Sequence, residues 1–124
     1  MPKQQQSIVV VEDDAGMRKA IERLLRAGGF HCVSFASAEA LLQAGAADTA
    51  ACLVLDIHLP GLSGFQIQRQ LMASGRKSPV IFITAVDDAA ARAEARRIGS
   101  IAYFRKPFDG KEFLSKIVLA LKKN

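Results

Sequence analysis

The sequence predicts an α/β fold in which five parallel strands form a doubly wound sheet with helices on both faces. Short apolar runs alternate five times with segments whose apolar residues recur at helical spacing. Strands that alternate with helices in this way form parallel sheets through right-handed crossovers. The runs at 8–11, 52–55 and 80–83 are continuously apolar, which is typical of strands that are covered on both faces.

The first half of the chain contains three of the predicted strands. β-Branched residues at 8–11 indicate the first strand, and a weaker apolar run at 32–35 indicates the second. The helix between them ends at 28–29, where two glycines follow each other. Ser37 is expected to cap the second helix. The third strand is predicted at 52–55.

The second half contains the remaining strands and helices. Ser63 and Gln66 form a capping box that opens the third helix. The fourth strand is predicted at 80–83 and the fifth at 101–104, and Asp109 is expected to cap the last helix. The fourth helix, from Asp87 to about Ile98, has high helix propensity but offers mainly alanine methyls to the core. We therefore expect it to bury little area and to be held loosely.

The polarity of the strands predicts their order. The first, third and fourth strands are the most apolar and belong in the centre, whereas the second and fifth suit the edges. The flavodoxin-like order 2-1-3-4-5 satisfies this requirement. The whole chain, residues 1–124, is expected to form a single domain with its core at about 7–122.

Composition excludes several classes of protein. No apolar run approaches the length of a membrane span, and the N-terminus lacks the apolar core of a signal peptide, so we expect a cytoplasmic protein. The formal net charge is +5, but the basic residues are scattered along helices without stacking aromatics, which argues against direct binding of nucleic acid. Cys32 and Cys52 each lie in an apolar run and are expected to be buried thiols.

Acidic residues stand at the predicted carboxyl ends of two strands. Glu12 and Asp13 follow the first strand, and Asp56 follows the third. In sheets of this order the ligand crevice lies where the strand order reverses, which is between these two strands. Two carboxylates about 4 Å apart repel by about 4 kcal/mol at an effective dielectric of about 20, so folding alone does not favour such a cluster. Asp14, by contrast, is expected to cap the first helix.

A divalent cation would remove this repulsion. Mg²⁺ is the usual ion where a protein supplies only a few carboxylates, and Mn²⁺ is the alternative. Thr84 ends the fourth strand and Lys106 follows the fifth, which brings a hydroxyl and a positive charge to the same edge. Cations near a carboxylate suit phosphoryl transfer because they neutralise charge on the transferring group. A nucleophilic Asp56 would then yield an aspartyl phosphate.

These residues together resemble the receiver domain of bacterial two-component response regulators. The resemblance covers about residues 7–122. It rests on VVVEDD, LVLDIHLPGLSG, Thr84-Ala85 and YFRKPF, each at a strand end and all in the order that the family has them. The family shares the strand order 2-1-3-4-5, so the resemblance implies the same fold.

The resemblance implies a role for each matching residue. Asp56 would accept the phosphoryl group, and Lys106 would contact it. Asp13 and Asp56 would bind Mg²⁺ directly, and Glu12 would bind it through water. The backbone carbonyl of His58 would complete the protein ligands. Glu12 replaces the commoner aspartate of the family, and its longer side chain still reaches a metal-bound water.

Further positions match the switching parts of the family. Thr84 would hydrogen-bond the phosphoryl group in the active state, and Tyr103 resembles the aromatic switch behind that threonine. Ala85 stands where a bulky side chain would shield the phosphate. The peptide bond before Pro107 would be cis, an isomer that only proline makes inexpensive. The side chain of His58 stands at a position that influences dephosphorylation in the family.

The resemblance also implies a function. The domain would take a phosphoryl group from a histidine kinase or a phosphotransfer protein and switch conformation to control an output domain or partner. It would catalyse its own phosphorylation and dephosphorylation and would not be a multiple-turnover enzyme. A homodimer on activation and a DNA-binding output domain outside this chain are further expectations, and no membrane partner is implied.

Other classes of protein share some of these features. A phosphohydrolase of the haloacid dehalogenase type also uses a strand-end aspartate and Mg²⁺, but its signature has a second aspartate where this chain has His58. A flavin-binding module would carry a phosphate-binding loop after the first strand, whereas EDD repels phosphate. A receiver-like interaction module that is never phosphorylated would not need the complete set of acids, threonine and lysine.

Overall fold

The computed structural model describes residues 7–122. The terminal residues 1–6 and 123–124, which belong to the predicted domain, lie outside the described residues. The strands are Ser7–Val11 (β1), Cys32–Phe35 (β2), Ala50–Asp56 (β3), Val80–Thr84 (β4) and Ala102–Arg105 (β5). The α-helices are Ala15–Ala27 (α1), Ala38–Ala44 (α2), Gly64–Ala73 (α3), Ala89–Ile98 (α4) and Gly110–Lys122 (α5).

The strands form one parallel sheet in the order β2-β1-β3-β4-β5, which confirms the predicted topology. Val11 pairs with Leu55, so β3 extends one residue further than β1 and carries Asp56 at its end. Thr84 ends β4, and β4 pairs with β5. The order reverses between β1 and β3, which places the carboxyl ends of these strands at the crevice expected of a doubly wound sheet.

Alternate residues of the strands enter two separate hydrophobic cores. Val10 and Val54 face α1 and α5, whereas Val9 and Leu53 face α2, α3 and α4. The successive side chains of a strand point to opposite faces of the sheet. A strand that is apolar throughout therefore needs other elements packed on both of its faces. The helices therefore lie in two layers with the sheet between them.

Side chains cap the helices as the sequence predicts. Asp14, Ser37 and Asp109 accept hydrogen bonds from the backbone at the starts of α1, α2 and α5. The capping box of Ser63 and Gln66 is present at the start of α3. These caps satisfy amide groups that have no partner within a helix.

Several predicted boundaries were wrong by one or two residues, and one short element was not predicted. The fourth helix starts at Ala89 and not at Asp87, because Asp88 accepts the cap bond while Asp87 pairs with Arg92. The fifth strand begins at Ala102, one residue later than predicted. A 3₁₀ helix at Ala46–Thr49 precedes β3 and was not predicted, because nothing in its periodicity marks so short an element.

Helix α4 buries few apolar atoms. Its buried residues are Ala91 and Ala95, whereas α3 buries Ile67 and Leu71. An alanine side chain removes much less apolar surface from water than leucine or isoleucine does. The packing agrees with the predicted loose attachment.

Within residues 7–122 no helix is both long enough and apolar enough to span a membrane.

Candidate functional site

Three carboxylates meet at the carboxyl ends of β1 and β3. One oxygen of each of Glu12, Asp13 and Asp56 lies within 4.8 Å of the others. Glu12 and Asp56 are buried, and Asp13 is exposed. The strand ends bring these acids together, although 43 positions separate Asp13 from Asp56 in the chain. The predicted cluster is therefore present.

Lys106 supplies the nearest positive charge to the two buried acids. Its Nζ lies 3.0 Å from Oδ2 of Asp56 and 2.5 Å from Oε1 of Glu12. The lysine side chain is only 13 % exposed. One ammonium group thus compensates two buried carboxylates in part, and the cluster keeps a net negative charge.

Two groups of this cluster, Glu12 and Lys106, have perturbed pKa values. Burial, with a further contribution from the neighbouring Asp56, raises the pKa of Glu12 from 4.5 to about 7. Burial alone lowers the pKa of Lys106, but its bonds with Glu12 and Asp56 outweigh that effect and raise it. The raised pKa of Glu12 indicates that the positive charge near it does not fully balance the buried carboxylates.

This shift predicts how stability depends on pH in the metal-free protein. The folded chain holds a proton on Glu12 between pH 4.5 and about 7, whereas the unfolded chain does not. The free energy of unfolding should therefore rise, through this group, by about 1–2 kcal/mol as the pH falls from about 7 to 4.5. Urea denaturation in EDTA at several pH values would measure this rise.

The matched control for this pH dependence is Glu12→Gln, which cannot titrate at the position. The variant should be more stable than the wild type near pH 8 and should lose the rise on acidification. Identical pH profiles of the two proteins would contradict the assignment. The comparison subtracts the titrating groups that are distant from Glu12, so the difference reports this position together with the groups in contact with it.

Backbone groups orient the two buried acids. The amide of His58 donates to Oδ1 of Asp56 at 2.9 Å, and the amide of Asp14 donates to Oε2 of Glu12 at 3.1 Å. Arg18, on α1, donates from Nη1 to the backbone carbonyl of Glu12 at 2.9 Å. Hydrogen bonds to the ionised form of a carboxylate stabilise it and restrict its rotation.

Thr84 is buried, and its hydroxyl is engaged with the loop that follows β4. Oγ1 donates to the carbonyl of Val86 at 2.8 Å and accepts from the amide of the same residue at 3.1 Å. The hydroxyl proton is therefore already used. A ligand at the acidic cluster would have to draw Thr84 away from Val86 to receive its hydrogen bond.

The other predicted positions surround this centre. The side chain of Ala85 is exposed and leaves the approach to the cluster open, and the imidazole of His58 is exposed as well. The peptide bond between Lys106 and Pro107 is cis. Tyr103 lies on β5, partly buried, with the guanidinium carbon of Arg92 5.1 Å from its ring centre.

The sequence did not indicate the role of Gly64, the first residue of α3. It is buried against the end of β3, and a Cβ there would overlap the backbone carbonyl oxygen of Asp56. The Gly64 amide also donates to the carbonyl of Ile57 at 3.1 Å. Only glycine allows α3 to start so close to the strand that carries Asp56. A glycine at the start of a helix is a signal that could have shown this.

The carboxylate cluster has the chemistry of a divalent metal site. Its three donors are all oxygens, and the one exposed donor leaves room for water. Hard cations prefer such ligands. The donor set therefore fits the metal that the fold implies.

Comparisons with known proteins agree with this fold. The model of the response regulator receiver domain family matches residues 8–118. The chain belongs to this family and is a receiver domain of two-component signalling.

Individual relatives support the assignment. The chain is 38 % identical to nodulation protein W of Bradyrhizobium diazoefficiens over 94 % of its own length and 52 % of that protein. It is 30 % identical to the transcriptional regulatory protein FixJ of the same species, covering 93 % of this chain and 56 % of that protein. The chain thus spans about half the length of the curated relatives it matches.

Solved structures show the same fold. A receiver protein from Burkholderia phymatum is 39 % identical with a TM-score of 0.82, and the match covers 95 % of this chain and 96 % of that one. The structure titled FixJ-N is 30 % identical with a TM-score of 0.86 and 98 % coverage of both chains. The BeF3-activated DrrB receiver domain is 25 % identical with a TM-score of 0.85, covering 96 % and 99 %.

Proposed function

We propose that Asp56 is the phosphoryl acceptor of this receiver domain. The observation that carries the proposal is the position of Asp56 at the end of β3, buried between Glu12 and Lys106. An oxygen of Asp56 attacks phosphorus, and the bond from phosphorus to the leaving group breaks. The leaving group, an imidazole or a carboxylate, takes the electron pair, and an aspartyl phosphate results.

The carboxylate cluster would hold Mg²⁺ in this proposal, with Mn²⁺ as the alternative ion. Asp13 and Asp56 would bind it directly, Glu12 through water, and the backbone carbonyl of His58 would be a further ligand. The bound cation would supply positive charge that neutralises the transferring phosphoryl group. The convergence of three oxygen donors supports this assignment.

Two side chains act on the phosphoryl group in the proposed reaction. Lys106 holds a positive charge 3.0 Å from the acceptor oxygen Oδ2 of Asp56, so it stabilises negative charge that develops there. After leaving Val86, the hydroxyl of Thr84 donates a hydrogen bond to the phosphoryl group. Ala85 keeps the approach open, and Tyr103 responds to the movement of the loop. His58, whose side chain is exposed, borders the route of an attacking water.

The proposed donor is a phosphohistidine on a histidine kinase or a phosphotransfer protein. Residues 1–124 act as a single receiver domain that does not turn over repeatedly. Relatives such as FixJ are named transcriptional regulators, and the match covers only 56 % of that protein. We therefore propose that a DNA-binding output segment lies outside this sequence. A homodimer in the activated state is a further part of the proposal.

Intact mass after incubation with acetyl phosphate and Mg²⁺ tests the proposal. The wild type should gain one phosphoryl group, and Asp56→Asn should gain none because an amide is a poor nucleophile. Asp48→Asn is the matched control, since Asp48 is an exposed acid that pairs with Arg76 away from the cluster. Repeated release of phosphate would favour the hydrolase, and a wild type without an adduct would favour the interaction module.

A further inference from the structure

The side chains of Arg92 and Asp87 form a bridge beside Tyr103. Arg92 donates from Nε to Oδ1 of Asp87 at 2.8 Å and from Nη2 to Oδ2 at 2.7 Å. The guanidinium carbon of the same arginine lies 5.1 Å from the centre of the Tyr103 ring. A planar guanidinium can hold a carboxylate with both nitrogens and stack on an aromatic face at the same time, which an ammonium group cannot do.

The tyrosine packs against the hydrophobic core on β4 and α4 and against this bridge. Its hydroxyl oxygen is buried and, among the residues that the structure describes, makes no hydrogen bond of ordinary geometry. Burial and the nearby charge of Asp87 raise the pKa of the Tyr103 hydroxyl. The carboxylate of Asp87 lies beside the hydroxyl and the guanidinium of Arg92 lies on the ring face, so the bridge acts on the ring at two points.

Asp87, one end of the bridge, directly follows Val86, which is the hydrogen-bond partner of Thr84. The hydroxyl of Thr84 forms hydrogen bonds with both the carbonyl and the amide of Val86. Moving Thr84 toward the acidic cluster releases Val86 and so releases the backbone that carries Asp87. A displacement of Asp87 must either carry Arg92 with it or break both of their hydrogen bonds.

We propose that Arg92 is a positioning residue that couples Tyr103 to the state of Thr84 through Asp87. In the resting arrangement the bridge holds the ring in its partly buried position. When Thr84 leaves Val86, the bridge loosens and the ring becomes free to change its position. This inference rests on the proposed function, because a phosphoryl group at Asp56 is what draws Thr84 away.

The resting arrangement provides the first test. Tyr103 is the one tyrosine of the chain, which has no tryptophan, so intrinsic emission reports this ring alone. The rate constant for quenching by acrylamide should rise about two- to fivefold in Arg92→Gln, because a surface cation on an aromatic face is lost. Arg96→Gln, on the same helix, is the control, since Arg96 is exposed and makes no ion pair within residues 7–122.

The response to a phosphoryl mimic provides the second test. The DrrB receiver domain was solved in a BeF3-activated form, so beryllofluoride with Mg²⁺ is a suitable probe. It should change the quenching of Tyr103 in the wild type and in Arg96→Gln. The change should fall by more than half in Arg92→Gln, while the beryllofluoride concentration at half-response stays near that of the wild type. Asp87→Asn should reproduce the effect, and adding it to Arg92→Gln should have no further effect.

The outcomes separate this inference from the proposed function. Equal resting quenching and equal beryllofluoride responses in the wild type and Arg92→Gln would overturn the coupling and leave the phosphoryl acceptor untouched. A wild type that gains a phosphoryl group by mass but shows no change at Tyr103 would also overturn it. Failure of the wild type to gain a phosphoryl group would remove both proposals.

Discussion

Phosphoryl transfer to Asp56 is expected to slow by about 100- to 1,000-fold when Lys106 is replaced by methionine, the loss typical of removing one preorganised charge or donor. Nζ of Lys106 lies 3.0 Å from the acceptor oxygen Oδ2 and is only partly exposed to water, which would otherwise screen it. Methionine keeps most of the apolar stem and removes the charge. The initial rate of adduct formation with acetyl phosphate and Mg²⁺ measures the effect.

Lys111→Met is the matched control for this rate. Lys111 is exposed on α5 and makes no ion pair within the described range 7–122. The variant should be phosphorylated at the wild-type rate, and circular dichroism should show that both variants are folded. A Lys106→Met protein that reacted as fast as the wild type would show that the lysine only balances the charge of the buried acids.

A second large effect is expected from Gly64→Ala. The added methyl group would overlap the carbonyl oxygen of Asp56 and lie 3.0 Å from its carbonyl carbon, so backbone and not a flexible side chain would have to move. We expect the free energy of unfolding to fall by about 2–3 kcal/mol, the upper range for overpacking a buried position. Urea denaturation measures the loss, and the rate of phosphorylation should fall with it.

Gly16→Ala is the control for the substitution itself. Gly16 lies in α1, and a Cβ there meets only Oδ2 of Asp14 at an ordinary 3.5 Å. Alanine is favoured over glycine within helices, so this variant should be at least as stable as the wild type. If both variants unfolded at the same urea concentration, the close approach of α3 to β3 would not be required.

Much of the fold and of the candidate site could be predicted from local patterns. Continuous apolar runs marked the central strands, and capping residues such as Asp14 and Ser63 marked helix starts within a residue or two. The acids at strand ends followed from the topology, since parallel strands deliver their carboxyl ends to one edge. The convergence of Glu12, Asp13 and Asp56 is therefore encoded in the order of the strands.

The contacts that the sequence did not reveal join segments that are distant in the chain or depend on one side chain's orientation. The approach of Gly64 to the carbonyl of Asp56 depends on how the loop between them closes. The stacking of Arg92 on Tyr103 depends on the crossing of α4 over β5, which an alanine-rich helix does not specify by pattern. The fourth helix was predicted to begin at Asp87 because two successive aspartates look equivalent in sequence, and only the bond to Arg92 distinguishes them.

The two hydrogen bonds between Thr84 and Val86 have a consequence for signalling at rest. The Thr84 hydroxyl already has a neutral acceptor, the carbonyl of Val86. Exchanging it for a charged phosphoryl oxygen therefore adds only the difference in hydrogen-bond free energy between the two acceptors, which is about 1 kcal/mol. In an unmodified molecule, moving Thr84 breaks both bonds and forms none in exchange, so few such molecules adopt the responsive form. Such a domain would give a low basal output, and so small a gain from this one bond would make the response to phosphorylation graded.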